Sequence, residues 1–204
     1  MLFDVTRGEA AGSFGTDRLV TLPAGAFPAD AADTEGARLL RTVGAPTGTL
    51  HLREPDADSG LLPLVQDVVD VADFEDAPEG AGRWPVIGWL LNAHLALAPE
   101  SGKVHAFDAD EESARVLHTD VSSLLQITFR FQHLLEEFTF DGDDDEEAGF
   151  ERLEREVERI REETSRADPL PFQDDDTVWS VVADEIAGGS RFVDGSPGAR
   201  RLYG

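Results

Sequence analysis

The sequence predicts an α+β fold in which an antiparallel β-sheet, laid out as a meander, has helices packed on one side. Three observations lead there. The segment WPVIGWLLNAHLALAPESGKVHAFD, residues 84–108, breaks into short apolar strands separated by tight turns. Residues 119–187 carry three helical patterns in succession. Strands and helices are therefore segregated along the chain instead of alternating, which argues against a parallel sheet.

The elements follow in order. SFGTDRLVTL, residues 13–22, has the alternation of a short strand and runs into the proline-broken LPAGAFP. DTEGARLLRTVGAP predicts a helix over 34–43, capped by Asp33 or Thr34 and closed by Gly44 and Pro46. TGTLHLRE, 47–54, predicts an edge strand, and the valines of PLVQDVVDVADF, 63–74, favour a further strand. In the meander, Val86–Leu90, His94–Ala98 and Val104–Asp108 are strands, and Ala114–His118 is the fourth.

Leu91-Asn92-Ala93 and the Pro99–Gly102 stretch supply the turns. If the second turn sets the register, Leu97 faces Val104 and Leu95 faces Ala106, with His94, His105 and Phe107 on the opposite face. Thr119 or Asp120 then caps a long helix whose Leu124, Ile127, Phe131, Leu134 and Phe138 recur at three- and four-residue steps. DGDDDEEAG, 141–149, is an acidic loop. A helix resumes over 150–163, and a last one, capped by Asp175 or Asp176, points Trp179, Val182 and Ile186 inward. One domain over 1–190 is expected, followed by a flexible C-terminal tail, 191–204.

Composition excludes several function classes. Seventeen basic against 42 acidic residues give a net charge of −25, which repels nucleic acid and anionic membrane and attracts a basic protein partner. Sixteen arginines and a single lysine, Lys103, make up the basic side. There is no cysteine, hence no disulfide framework and no thiolate nucleophile. The opening MLFDVTRGEAAG has no long apolar core, and no apolar run approaches the ~20 residues of a membrane span. A soluble, cytoplasmic chain is expected.

Candidate chemistry is sparse. His94 and His105, with Asp108 at the strand end, have the residue types of a divalent-cation site, the basis of an alternative reading as a cation-dependent hydrolase. No ligand motif supports it, and no metal or cofactor is expected. The consecutive carboxylates Asp143–Glu147 fit no calcium-loop frame. Trp89 and Trp179 suit the core, whereas Trp84, between Arg83 and Pro85 at a loop edge, suits an exposed anchor for a partner.

Several stretches taken together have a familiar order. TLPAGAFPADAADTEGARLLRTVGAPTG resembles the N-terminal signature of the SUKH superfamily of bacterial immunity proteins, and VIGWLLNAHLALAPESGKVHAFD resembles its central meander. VSSLLQITFRF is similar to the helix that follows. ERLEREVERIREETSRADP with TVWSVVADEI resembles the ending of the fourth SUKH family in particular. The chain departs from that pattern at Thr119-Asp120-Val121, at the glycine-free Leu91-Asn92-Ala93 turn and in the acidic insert.

The resemblance implies a non-enzymatic protein that binds and neutralises a cognate polymorphic toxin, a nuclease or a nucleic-acid deaminase. A regulatory or scaffolding adaptor of the same fold is the other binding-class reading. The expected contacts are Arg83 and Trp84, the acidic loop Asp143, Asp144, Asp145, Glu146 and Glu147, and the acidic run Asp174, Asp175 and Asp176. The aromatic would supply affinity, and the acids would steer a basic toxin.

Overall fold

The computed structural model describes residues 1–140 and 146–204. Five strands form one antiparallel sheet in the order β3 (His51–Leu52), β4 (Val86–Leu90), β5 (Ala93–Leu97), β6 (Val104–Asp108), β7 (Ser113–His118). The register is the expected one: Leu97 opposes Val104 and Leu95 opposes Ala106, while His94 opposes Phe107 and Ala96 opposes His105. A two-residue turn, Leu91-Asn92, joins β4 to β5. Leu91 takes the left-handed conformation that glycine usually fills, at φ 53°.

One face of the sheet packs on the helices. α2 (Glu35–Thr42) is capped by the Thr34 hydroxyl, α4 (Val121–Glu137) by the Asp120 carboxylate, and α6 (Val178–Ala187) by Thr177. Leu95, Leu97 and Val104 share a core with Leu40, Leu124, Ile127, Phe131 and Trp179 and with Leu153 and Val157 of α5 (Glu146–Ser165).

The other face has its own cover. Residues 64–84 fold over it and seat Val65, Phe74, Ala81 and Trp84 on Val86, Ala96, Phe107 and Ala114. The strand expected at 63–74 is not formed. Val65–Val68 is a single helical turn, α3, because Val65, Val68 and Val69 at helical spacing meet the sheet and the Asp67 carboxylate accepts the Leu64 N–H at 2.9 Å.

The strand expected at 13–22 is mostly replaced as well. α1 (Arg7–Phe14) precedes it, and only Leu19–Val20, β1, is extended, paired with β2 (Ala45–Pro46). Residues 191–204, expected to be flexible, carry α7 (Pro197–Leu202). Phe192 is buried against Phe138 and Phe140, and the Tyr203 hydroxyl donates to the Gly189 carbonyl at 2.7 Å.

Candidate functional site

Among the described residues, two acidic surfaces and an aromatic strip around Trp89 and Arg53 distinguish the outside of the molecule. The first acidic surface is the 64–84 cover. Asp67, Asp70, Asp73, Glu75, Asp76 and Glu79 all stand exposed on it, and Arg83, also exposed, is its sole basic residue. Trp84, expected to be an exposed anchor, is 6 % exposed. Its ring lies 4.7 Å from His105 and 6.4 Å from Phe107, so it fastens the cover to the sheet. Arg83 thus keeps its place on the surface and Trp84 does not.

The second acidic surface joins segments that the sequence leaves apart. Asp174, Asp175 and Asp176 are exposed ahead of α6, whose cap is Thr177 and neither aspartate. Arg115 of β7 reaches Asp176 at 2.7 Å. Asp108, Glu111 and Asp176 line one crevice around that arginine. The hydrogen bond to Asp176 raises the Arg115 pKa despite partial burial, helped by the charges of Glu111 and Asp174. The β6–β7 turn and the 174–176 loop therefore form one ridge with a single cation folded into it. Glu147 is exposed at the start of α5, while the expected contacts Asp143, Asp144 and Asp145, and the side chain of Glu146, lie outside the described residues.

The residues weighed for a cation do not converge. Pleating puts His94 and His105 on one face of the sheet and Asp108, which opposes Ala93, on the other. The Asp108 carboxylate instead accepts the Asp110 and Glu111 N–H groups at 2.9 and 3.2 Å and shapes its turn. Burial beneath Trp84, with a small contribution from Lys103, lowers the His105 pKa to about 4. Among the described residues, no group of three His, Cys, Asp or Glu is placed to hold a metal ion.

A strip built on Trp89 takes the place of Trp84 as the aromatic feature of the surface. Trp89, expected in the core, is half-buried and stacks on exposed His51 with ring centroids 5.2 Å apart and planes at 13°. The Arg53 guanidinium sits 6.0 Å from the same indole. His94, opposite Trp89 in the register, completes the row. Burial and the charge of Arg53 both lower its pKa.

Beneath the surface lies a polar cluster that sequence reasoning missed. His118, Asp168 and Trp179 are fully buried. The Trp179 indole N–H donates to His118 Nε2 at 2.7 Å, which leaves the imidazole proton on Nδ1, 3.0 Å from the Ser123 hydroxyl. Asp168 accepts from the Thr119 N–H at 3.0 Å and from its hydroxyl at 2.8 Å. Burial works against the Asp168 charge, but hydrogen bonds from His118, Ser123 and Thr119 outweigh it and hold the carboxyl well below the usual range. Burial likewise keeps His118 neutral, against the pull of Asp168. The cluster ties the end of β7 to α4 and α6 with no access to solvent, so its role is to position these elements. Its signal was present: Asp168 and Trp179 belong to the C-terminal stretches that carry the family resemblance.

No helix among the described residues is long and apolar enough to cross a membrane. Comparison with known proteins gives one family match: the model of the SUKH-4 immunity protein family matches residues 5–185. No curated protein and no solved structure matches the chain.

Proposed function

Because the chain belongs to the SUKH-4 immunity protein family, we propose that it neutralises a cognate toxin by binding it and covering its active site, without chemistry of its own. The toxin is a nuclease or a nucleic-acid deaminase, basic where it meets phosphate. The observation that carries this reading is the clustering of charge. A chain of net charge −25 presents six exposed carboxylates on the 64–84 cover and a second ridge around Asp174–Asp176 and the β6–β7 turn. Such surfaces complement a phosphate-binding cleft and accelerate encounter with it. Arg83, Glu147 and Asp174–Asp176 are the contact residues this reading retains at the surface. The reading also supports a cytoplasmic site of action, where a nucleic-acid-directed toxin meets its target.

The test is co-expression with a toxin domain, which this reading expects the neighbouring gene to encode. Growth is expected to be rescued by the intact chain. Reversal of Asp174, Asp175 and Asp176 to lysine is expected to slow association at least tenfold, and added salt is expected to slow the parent's association far more than its dissociation. A partner whose association rate ignores both salt and charge reversal would remove the electrostatic basis of the proposal.

A further inference from the structure

The five-stranded sheet ends at β7, and the first half of that edge strand is unpaired on its outer side. The Ala98 N–H donates to the Lys103 carbonyl at 2.9 Å and the Leu97 N–H to the Pro85 carbonyl at 3.1 Å. Even-numbered residues of β5 therefore bond toward β6 and odd-numbered ones toward β4. Carried across the register by the alternation of an antiparallel ladder, Ala106 and Asp108 of β6 then bond to Arg115 and Ser113. Ala114, opposite Phe107, and Val116, opposite His105, are left to direct their N–H and C=O groups away from β6. Among the described residues, nothing else takes these groups up in a hydrogen bond.

Only the far end of the strand is closed, by Asp168 holding Thr119 and by Leu170–Phe172 packed beside it. Along the free half Ser113, Arg115 and Val116 remain partly exposed, while the Ala114 side chain is buried beneath the 64–84 cover.

Charge decides what such an edge takes. On the α6 side, Asp108, Glu111 and Asp176 line the crevice against one cation, Arg115, which Asp176 already binds at 2.7 Å. Asp174 and Asp175 stand exposed next to them. On the other side, Ala114 shares a cluster with Phe74, whose chain neighbours Asp73, Glu75 and Asp76 are exposed. Lys103 adjoins Val104, opposite His118, at the closed end. An unpaired strand edge is a template for another strand, and carboxylates flanking it favour a cationic one.

From this we infer that an extended, basic segment of the toxin adds to β7 as a sixth strand. Its alternate arginine or lysine side chains face Glu111 and Asp174–Asp176, and its aliphatic ones lie beside Ala114 and Val116 on the cover side. Backbone pairing at Ala114 and Val116 sets the register. The assignment rests on the neutralisation reading and specifies, within it, the form of the segment that the acidic ridge receives.

The probe is the capped heptapeptide Gly-Val-Arg-Val-Arg-Val-Gly, titrated into the full isotope-labelled chain and followed by NMR. Salt of ~0.15 M screens loose attraction to the net charge. Shifts are expected at the Ala114 and Val116 amides and at Glu111 and Asp176. Methylating the backbone nitrogen of the central valine keeps the peptide's charge and removes a bond to the edge; binding is expected to weaken at least tenfold. Glutamate in place of both arginines is expected to abolish it. Val116→Pro removes an N–H that β6 does not use and is expected to lower peptide affinity at least tenfold.

If Val116→Pro unfolds the chain, the methylated peptide tests the same pairing from the other partner. Absent shifts, shifts confined to other surfaces, or equal binding by the methylated peptide would overturn the assignment. In the co-expression assay, a folded Val116→Pro chain that protects as well as the parent overturns it too and leaves the neutralisation reading in place. Failure of the parent chain to protect counts against that reading alone, since the titration still decides the edge.

Discussion

Asp168 shows how much a single side chain can hold in place. It is a fully buried carboxylate whose oxygens take up the N–H and hydroxyl of Thr119 beside His118. Asp168→Ala leaves those donors unpaired and the imidazole without its acid, a loss of about 3 kcal/mol by the usual cost of breaking a buried polar pair. Urea unfolding at pH 7 checks it.

The histidines make a second prediction at this scale. His105 and His118 are both held neutral in the fold, His105 down to about 4. The unfolded chain takes up these protons first, at the ordinary histidine value of 6.5. Stability is therefore fully present above pH 6.5 and falls as the pH drops from there toward 4. His105→Phe is expected to flatten that decline relative to the parent, read as unfolding midpoints across the same range.

The tryptophans mark where residue-level reading fails. Sequence neighbours place Trp84 outside and Trp89 inside. The register shift between Val86 and Gly88 turns Trp89 onto the second face, and the 64–84 segment closes over Trp84. Neither event leaves a trace in local sequence.

Among the elements, the meander was legible because its alternation, its turns and its register all agree, from Leu97 against Val104 to the edge strand at His51. α4 and α6 were legible from apolar spacing. α1 was not, since only Ala10 and Phe14 are buried along it, although the Thr6 and Glu9 cap did mark its start. α3 escaped because three valines within five residues serve one helical turn as well as a strand.

Gly88 is the element-scale test of how β3 sits on β4. A Cβ there would lie 2.5 Å from the His51 carbonyl oxygen, so the β3 backbone must retreat. Gly88→Ala is expected to cost about 1–3 kcal/mol and to speed amide exchange at residues 51–53 before it affects β5 or β6. Uniform loss of protection across the sheet would contradict this account.

At the scale of the whole molecule, repulsion among the carboxylates opposes compaction. Raising salt from ~10 mM to ~0.5 M shortens the Debye length from about 30 Å to under 8 Å. The melting temperature is expected to rise by several degrees over that range, most of it below ~0.15 M, as calorimetry would record. Composition made this behaviour legible from the start. It could not show where the charge lies, because the ridge around Arg115 joins residues about sixty positions apart, at Glu111 and Asp176.

The 64–84 cover has a consequence for how such a molecule changes over generations. Val65, Phe74, Ala81 and Trp84 attach it, with Val68, Val69, Val71 and Ala77 packed beside them, and the six acids point to water with no structural duty beyond the two that cap turns, Asp67 and Asp70. Replacements at the remaining four should leave folding within about half a kcal/mol. A lineage facing a new adversary can therefore redraw this exterior one codon at a time while the frame beneath it stays whole.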